Sequence, residues 1–153
     1  MTRIGVISDT HGLLRPEAVA CLQGSALIIH AGDIGSAEII DGLETLAPVR
    51  AIRGNVDRGA WTSGFPDHAD IEFAGLRIHV IHNLKALDFD PAQAGFNIVI
   101  SGHSHVPGTR RENGVLYLNP GSAGPRRFRL PVAVASINVA GDAPAAEIHT
   151  LFP

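Results

Sequence analysis

Between residues 3 and 53 the apolar positions fall in short continuous runs, separated by segments with helical spacing. Residues 3–8 read as a buried strand, Pro16–Leu22 as a helix with proline in its first turn and Gly24 past its end, and residues 26–30 as a second buried strand. Ser36 can cap a helix predicted to run to about Ala47, with Ile39, Ile40, Leu43, Leu46 and Ala47 on one face, before a third strand at residues 49–53. Buried strands alternating with helices predict parallel pairing.

From about Asp67 the texture changes. Residues 71–73, 77–82, 98–101, 115–118, 132–137 and 147–151 read as strands, and 91–94 is the one helix candidate. Ala74-Gly75 and Asn113-Gly114 are tight hairpin-turn signals. This half is expected to form an antiparallel or mixed sheet packed on the first. No linker composition and no internal repeat divides the chain, so one domain over residues 1–153 is expected, with two stacked sheets and helices outside.

Composition narrows the classes. Of 153 residues, 45% are apolar and 18% charged, which excludes global disorder. The net charge is −3, and the longest basic cluster, Arg126, Arg127 and Arg129, has no aromatic repeat around it, so no strong nucleic-acid surface is expected. No apolar run is long enough to span a bilayer and no signal-peptide pattern opens the chain, so a soluble cytoplasmic protein is expected, with no membrane partner. The single cysteine, Cys21, excludes an intrachain disulfide and a multi-cysteine zinc site, and it reads as a small core residue of the first helix. Any metal must then be held by His, Asp, Glu or Asn. Eight histidines beside a single lysine, Lys85, point to that chemistry.

Polar residues interrupt the chain where strands end. Asp9 and His11 follow the first strand, Asp33 the second and Asn55 the third; His82 ends a later strand, and His103 and His105 follow residues 98–101. Open α/β sheets place their sites at such carboxyl ends. Seven oxygen and imidazole donors are too many for one ion and suit two ions sharing a carboxylate, for which Asp33 is the candidate bridge. Gly12, Gly32, Gly54 and Gly102 beside them let the backbone approach an ion closely. His30 and His79 sit inside apolar or alternating runs and read as structural, while His68 and His149 have no motif context.

The ordered blocks D-x-H, G-D, G-N-x-D, H and G-H-x-H resemble the calcineurin-like metallophosphoesterase superfamily. Leu118-Asn119-Pro120-Gly121-Ser122, followed by Gly124-Pro125-Arg126, is similar to its small single-domain YfcE-type phosphodiesterase branch. The resemblance implies an α/β fold, a four-layer α-β-β-α sandwich of two mixed sheets with a dinuclear metal site at the strand ends. Carried over motif by motif, it implies one ion on Asp9, His11, Asp33 and His105 and another on Asp33, Asn55, His82 and His103. It further implies that a bridging hydroxide attacks phosphorus, with Asp33, Asn55 and His103 acting through that hydroxide and on the transition state. Two Mn²⁺ ions are expected, with Zn²⁺, Fe or Ni²⁺ as alternatives. The implied activity is hydrolysis of a small phosphodiester. The alternatives are a phosphomonoesterase, or a non-catalytic metal-binding scaffold of the kind represented by the retromer's small sorting subunit. A homo-oligomer is compatible with so small an enzyme.

Two positions depart from the superfamily pattern. Val56 stands where its phosphatases place a proton-donating histidine, and a general acid typically contributes roughly 10²–10⁴-fold. Asp57, next to it, is expected to tie the loop through backbone N–H groups, and Arg58 to be solvated. Asn83 stands where glycine usually follows the metal histidine, and asparagine is the next most tolerant residue of a left-handed backbone. The segment 119–122 reads equally as a site floor or a local Pro-Gly turn, and Arg126, Arg127 and Arg129 as anion contacts or a solvated loop.

Overall fold

A computed structural model describes residues 2–140 and 143–153. In chain order the elements are β1 (Thr2–Ile7), α1 (Pro16–Leu22), β2 (Leu27–His30), α2 (Ala37–Glu44), β3 (Val49–Ala51), β4 (His68–Phe73), β5 (Leu76–Ile81), β6 (Ile98–Ile100), β7 (Gly108–Glu112), β8 (Val115–Asn119), β9 (Val132–Ala140) and β10 (Ala143–Phe152). Short 3₁₀ turns occupy Ala60–Thr62 and Leu84–Ala86.

The strands form two five-stranded mixed sheets, in the orders β10-β9-β1-β2-β3 and β4-β5-β6-β8-β7. In the first, β1, β2 and β3 run parallel and β9 returns antiparallel to β1. In the second, β5, β6 and β8 run parallel between two antiparallel edges. Ile4, Val6, Ile29 and Ile137 of one sheet meet Ile78, Ile98, Ile100 and Leu118 of the other in a closed apolar layer. Burying one such side chain contributes about 1.5–3 kcal/mol, so this layer fixes the two sheets face to face. The expected sandwich is therefore present.

Both helices cover the outer face of the first sheet, where Ala18, Leu22, Ile39, Ile40 and Leu43 pack with Ile7, Ile28 and Val134. The outer face of the second sheet carries no α-helix among the described residues. Its cover is the 3₁₀ turn and the segment that brings Phe89 and Phe96 onto His79. The helix expected at residues 91–94 is a single turn: Asp90 Oδ1 accepts from Ala92 N at 3.0 Å, and Gly95, at φ 84°, ends the turn at once.

Other boundaries moved for local reasons. Helix α2 stops at Glu44, three residues short of Ala47: residues 45–46 form a turn, and Pro48 disfavours helical backbone at Ala47. Strand β3 ends at Ala51, β4 starts at His68, and β10 extends over Ala143–Phe152. Strand β7 had no signal, since Gly-Thr-Arg-Arg-Glu is exposed along its whole length and has no apolar alternation. Its arginines suit an unpaired edge. Both hairpin turns form, with positive φ at Ala74, Gly75, Asn113 and Gly114. Among the described residues no helix is long and apolar enough to cross a membrane.

Candidate metal centre

The parallel strands deliver their following residues to one crevice. Asp9 and His11 follow β1, Asp33 follows β2, His82 follows β5, and His103 and His105 follow β6. Asp9, His11, Asp33, His103 and His105 all have left-handed backbones, with φ between 46° and 70°. That conformation costs an L-residue about 1–2 kcal/mol, so the surroundings must enforce it. A backbone ladder does so: Asp9 N donates to Gly32 O at 3.0 Å, His11 N to Asp33 O at 2.9 Å and Gly12 N to Ile34 O at 2.9 Å. The ladder locks the loops after β1 and β2 together, facing their side chains toward the second sheet's loops.

Asp9, His11 and His105 each bring a ligand atom within 4.8 Å of the others, and so do Asp9, Asp33 and His82. Asp33 Oδ2 lies 3.6 Å from His11 Nε2 and 3.2 Å from His82 Nε2, and Asp9 Oδ1 lies 3.5 Å from His105 Nε2. Both carboxylates thus face histidines of both expected sets, and Asp9 is the residue common to the two clusters. His82 Nδ1 bonds Ala31 O at 2.7 Å, so Nδ1 carries a hydrogen and Nε2 is the ring atom that faces the two carboxylates. Such an arrangement needs a cation or a proton between the groups.

The hydrogen bonds leave several of these atoms open. Asp9 Oδ2 accepts from Ser8 Oγ at 2.9 Å and His103 N at 3.2 Å, while the buried atoms Asp9 Oδ1, His11 Nε2 and His82 Nε2 have no hydrogen-bond partner. Buried polar atoms in native structures are normally paired, so these three have the character of ligand atoms. Burial pushes the Asp9 carboxyl above its ordinary value despite the nearby His82. Burial also acts to raise Asp33, but the His82 ring and the Val56 N–H on Oδ1 hold it at about 2. His105 is held near 4 by burial, then by Arg127 and His11, so it is a neutral imidazole at neutral pH and available as a ligand. The donors fit divalent cations bound through oxygen and nitrogen.

Asn55 and His103 are placed at the margin. Both are exposed, and His103 packs its ring edge to face on His82 with centroids 5.3 Å apart. The turn bearing Asn55 is pinned from below: Asp57 Oδ2 accepts from Ile34 N and Gly54 N, and Asp57 Oδ1 from Gly35 N. Asp57 is therefore the loop tie expected of it. A Cβ on Gly54 would sit 2.2 Å from Asp33 Oδ1, and one on Gly102 would sit 2.1 Å from Ser8 Oγ. Only glycine lets these turns close on the carboxylates.

Asn83 is not left-handed. Its φ is −106°, and its side chain caps the following 3₁₀ turn by accepting from Lys85 N at 3.1 Å. The position therefore required no special backbone, and asparagine there adds a cap. Segment 119–122 belongs to the site, since Asn119 Nδ2 donates to Gly102 O and Ser104 Oγ and Ser122 Oγ donates to Asp9 O at 3.0 Å. Ser8 carried no motif signal of its own, and its place next to Asp9 in the sequence was the only clue. Arg126 bonds the carbonyls of Phe152 and Pro153, while Arg58, Arg127 and Arg129 are exposed. His79 bonds Asp70 at 2.7 Å and His149 bonds Ser136 at 2.8 Å, both outside the crevice. His68 is exposed beside His79, and Cys21 packs against the helix-side core.

His30 supports the crevice from behind. Gly32 N donates to its Nδ1, so Nε2 carries the hydrogen and donates to Thr10 Oγ1, which donates to Ile34 O. Full burial lowers its pKa from 6.5 to about 3, outweighing Asp57. The unfolded chain then takes up a proton below pH 6.5 that the fold refuses until about pH 3. Stability is expected to fall through this window, by up to about 1.4 kcal/mol per pH unit from this group. Urea titrations between pH 7 and 4 should show that slope reduced by about one proton in His30→Asn; an unchanged slope would assign acid sensitivity elsewhere.

Comparison with known proteins identifies the family. The family model described as a calcineurin-like phosphoesterase superfamily domain matches residues 2–142. A probable metallophosphoesterase from Methanothermobacter thermautotrophicus is 38% identical over 159 aligned positions, covering 95% of this chain and 90% of its own. A solved archaeal phosphodiesterase superposes with TM-score 0.80 at 23% identity, over 97% of this chain and 100% of that one. Vps29 from Chaetomium thermophilum does so with TM-score 0.78 at 17% identity, over 99% of both chains. On the family match and the relative's identity, the chain belongs to the calcineurin-like phosphoesterase superfamily.

Proposed function

We propose that this protein is a cytoplasmic, dinuclear metal-dependent phosphodiesterase, formed as one domain. The observation that carries the proposal is the convergence of three buried atoms without hydrogen-bond partners, Asp9 Oδ1, His11 Nε2 and His82 Nε2, at the ends of parallel strands. Asp9, His11, Asp33 and His105 would hold one ion, and Asp33, Asn55, His82 and His103 the other. Bound there, the pair would supply a water of lowered pKa as nucleophile and Lewis acidity toward the phosphoryl oxygens. Manganese suits this mixed oxygen and nitrogen set, with Zn²⁺, Fe²⁺ or Ni²⁺ able to substitute.

The protein's own residues fix the rest. Ser8, the His103 N–H and the Val56 N–H orient the two carboxylates, and the left-handed backbones hold the imidazoles against them. Val56 is 50% exposed beside Asn55 and offers no proton to a departing oxygen. That favours diesters whose leaving group departs as a stable anion, such as an aryl oxide, over alkyl monoesters.

The test is hydrolysis of bis(p-nitrophenyl) phosphate by chelator-stripped protein, with Mn²⁺ added back and p-nitrophenyl phosphate run beside it. Activity restored by metal, lost in Asp33→Asn and greater on the diester is expected. A monoester preference would make the protein a phosphomonoesterase. Full metal binding without turnover on either substrate would make it a metal-binding scaffold.

A further inference from the structure

Beside the metal centre lies a cavity of about 810 Å³, far larger than a phosphoryl group needs and within the roughly 300–1,000 Å³ of small-molecule pockets. His103 is the one proposed ligand in its lining, and Asn83, the residue after His82, stands beside it, so the cavity adjoins the metal centre on the His103 side. Its far wall is the β7–β8 hairpin. Across that hairpin Arg110 pairs in register with Tyr117, and its guanidinium lies 4.3 Å over the phenol ring. Val106, 51% exposed, adds apolar surface. Lys85 stands at the rim and is the chain's only lysine.

These groups select a ligand chemistry. A stacked phenol and guanidinium present flat faces on which a planar ring can lie. An ammonium is a compact charge that binds phosphate or carboxylate oxygens. Of the two cations in the lining, Arg110 is engaged with Glu112, whereas Lys85 has no ion-pair partner among the described residues. In a chain of net charge −3, an unpaired cation at the mouth of a ring-sized cavity suits an anionic group on the ligand.

We propose that this cavity holds an ester group of the substrate that bears both a planar ring and a second negative charge, a nucleoside phosphate being the simplest such group. The ring lies against Tyr117 and Arg110, the additional anion meets Lys85, and the scissile phosphodiester reaches the metal centre past His103. The proposal rests on the phosphodiesterase assignment above.

Three substrates separate the parts: methyl p-nitrophenyl phosphate, thymidine 5′-(p-nitrophenyl phosphate), and the latter carrying a 3′-phosphate. For the Mn²⁺-loaded protein, kcat/KM is expected to rise about tenfold or more at each step, mainly through KM. Lys85→Ala should erase the gain from the 3′-phosphate. Tyr117→Ala should erase the gain from the thymidine, and Tyr117→Phe should keep it, which guards against a merely misfolded variant. Calorimetric binding of thymidine 3′,5′-bisphosphate gives a readout independent of turnover, and Kd is expected to weaken about tenfold in Lys85→Ala and in Tyr117→Ala. Metal-dependent hydrolysis of all three substrates at equal kcat/KM, with variants unchanged in binding, would overturn the cavity assignment and leave the phosphodiesterase standing. If no diester is hydrolysed yet the bisphosphate binds with the expected variant losses, the ligand class survives and the phosphodiesterase assignment falls.

Discussion

Replacing Asp9 by Asn is expected to abolish metal-dependent hydrolysis while making the metal-free protein more stable. Asp9 is fully buried, and its Oδ1 has no hydrogen-bond partner. Burial raises its pKa, so at neutral pH the fold holds a carboxylate in a place that disfavours its charge. The sign follows directly: a carboxyl raised in the folded state stabilises the fold less as pH climbs from 3.8 through the raised value. Asparagine has the same shape, can still accept from Ser8 and His103 N at one oxygen, and turns an uncharged amide toward His11 and His82. The metal-free variant should therefore melt higher, by about 2–4 °C for each kcal/mol recovered. Activity should fall by more than the roughly 10–100-fold that losing an outer partner of a metal ligand brings. Melting curves with and without Mn²⁺ decide the matter: the wild-type protein should gain stability from the ion and the variant should not. A metal-free variant that melts lower than wild type would show that the Asp9 charge is already compensated by the fold.

The second large effect is expected at Asp57, which touches no predicted ligand. Its carboxylate accepts three backbone N–H groups, from Ile34, Gly35 and Gly54, and so joins the loop after β2 to the loop after β3. Asp57→Ala leaves all three donors without their acceptor. Leaving a buried donor unpaired costs about 1–3 kcal/mol, so the variant should lose about 3 kcal/mol or more. That is a large part of the roughly 5–15 kcal/mol that holds a domain folded. The loosened turn also carries Val56, whose N–H orients Asp33 Oδ1, so metal affinity should fall by about 10–100-fold. Urea denaturation and a metal titration on the same variant test both effects. A protein of undiminished stability and metal affinity but with kcat reduced would move Asp57 from loop tie to direct participant in catalysis.

These two residues show how differently parts of the site can be read from residues alone. Asp9 is legible because ligand spacing is local: D-x-H after one strand and G-H-x-H after another bring their imidazoles to a shared end once the strands run parallel. The role of Asp57 was legible in kind, since a carboxylate after Gly-Asn in a turn seeks backbone N–H groups. Two of its partners, however, lie more than twenty residues away. Asn83 shows the opposite error, in that a family habit of glycine suggested a left-handed position where the backbone at φ −106° demands none.

Hydrophobic runs and their breaks determined the strands of both sheets, apart from β7, and the helices α1 and α2. They did so because buried strands need continuous apolar residues and surface helices need a stripe. The ligand residues were likewise written in short blocks, each needing only its own strand and turn. The tertiary structure decided what depends on distant segments meeting. It brought both Asp9 and Asp33 against His11 and His82, moved Asn55 and His103 to the margin, and hung Asn119 and Ser122 on the loops beside Asp9. It also placed the exposed strand β7, which no apolar pattern could announce, beside β8 to form the cavity next to the metal ligands. Local side-chain periodicity reports which residues seek the interior, whereas the aim of a side chain and the shape of a cavity are set by contacts between segments far apart in the chain.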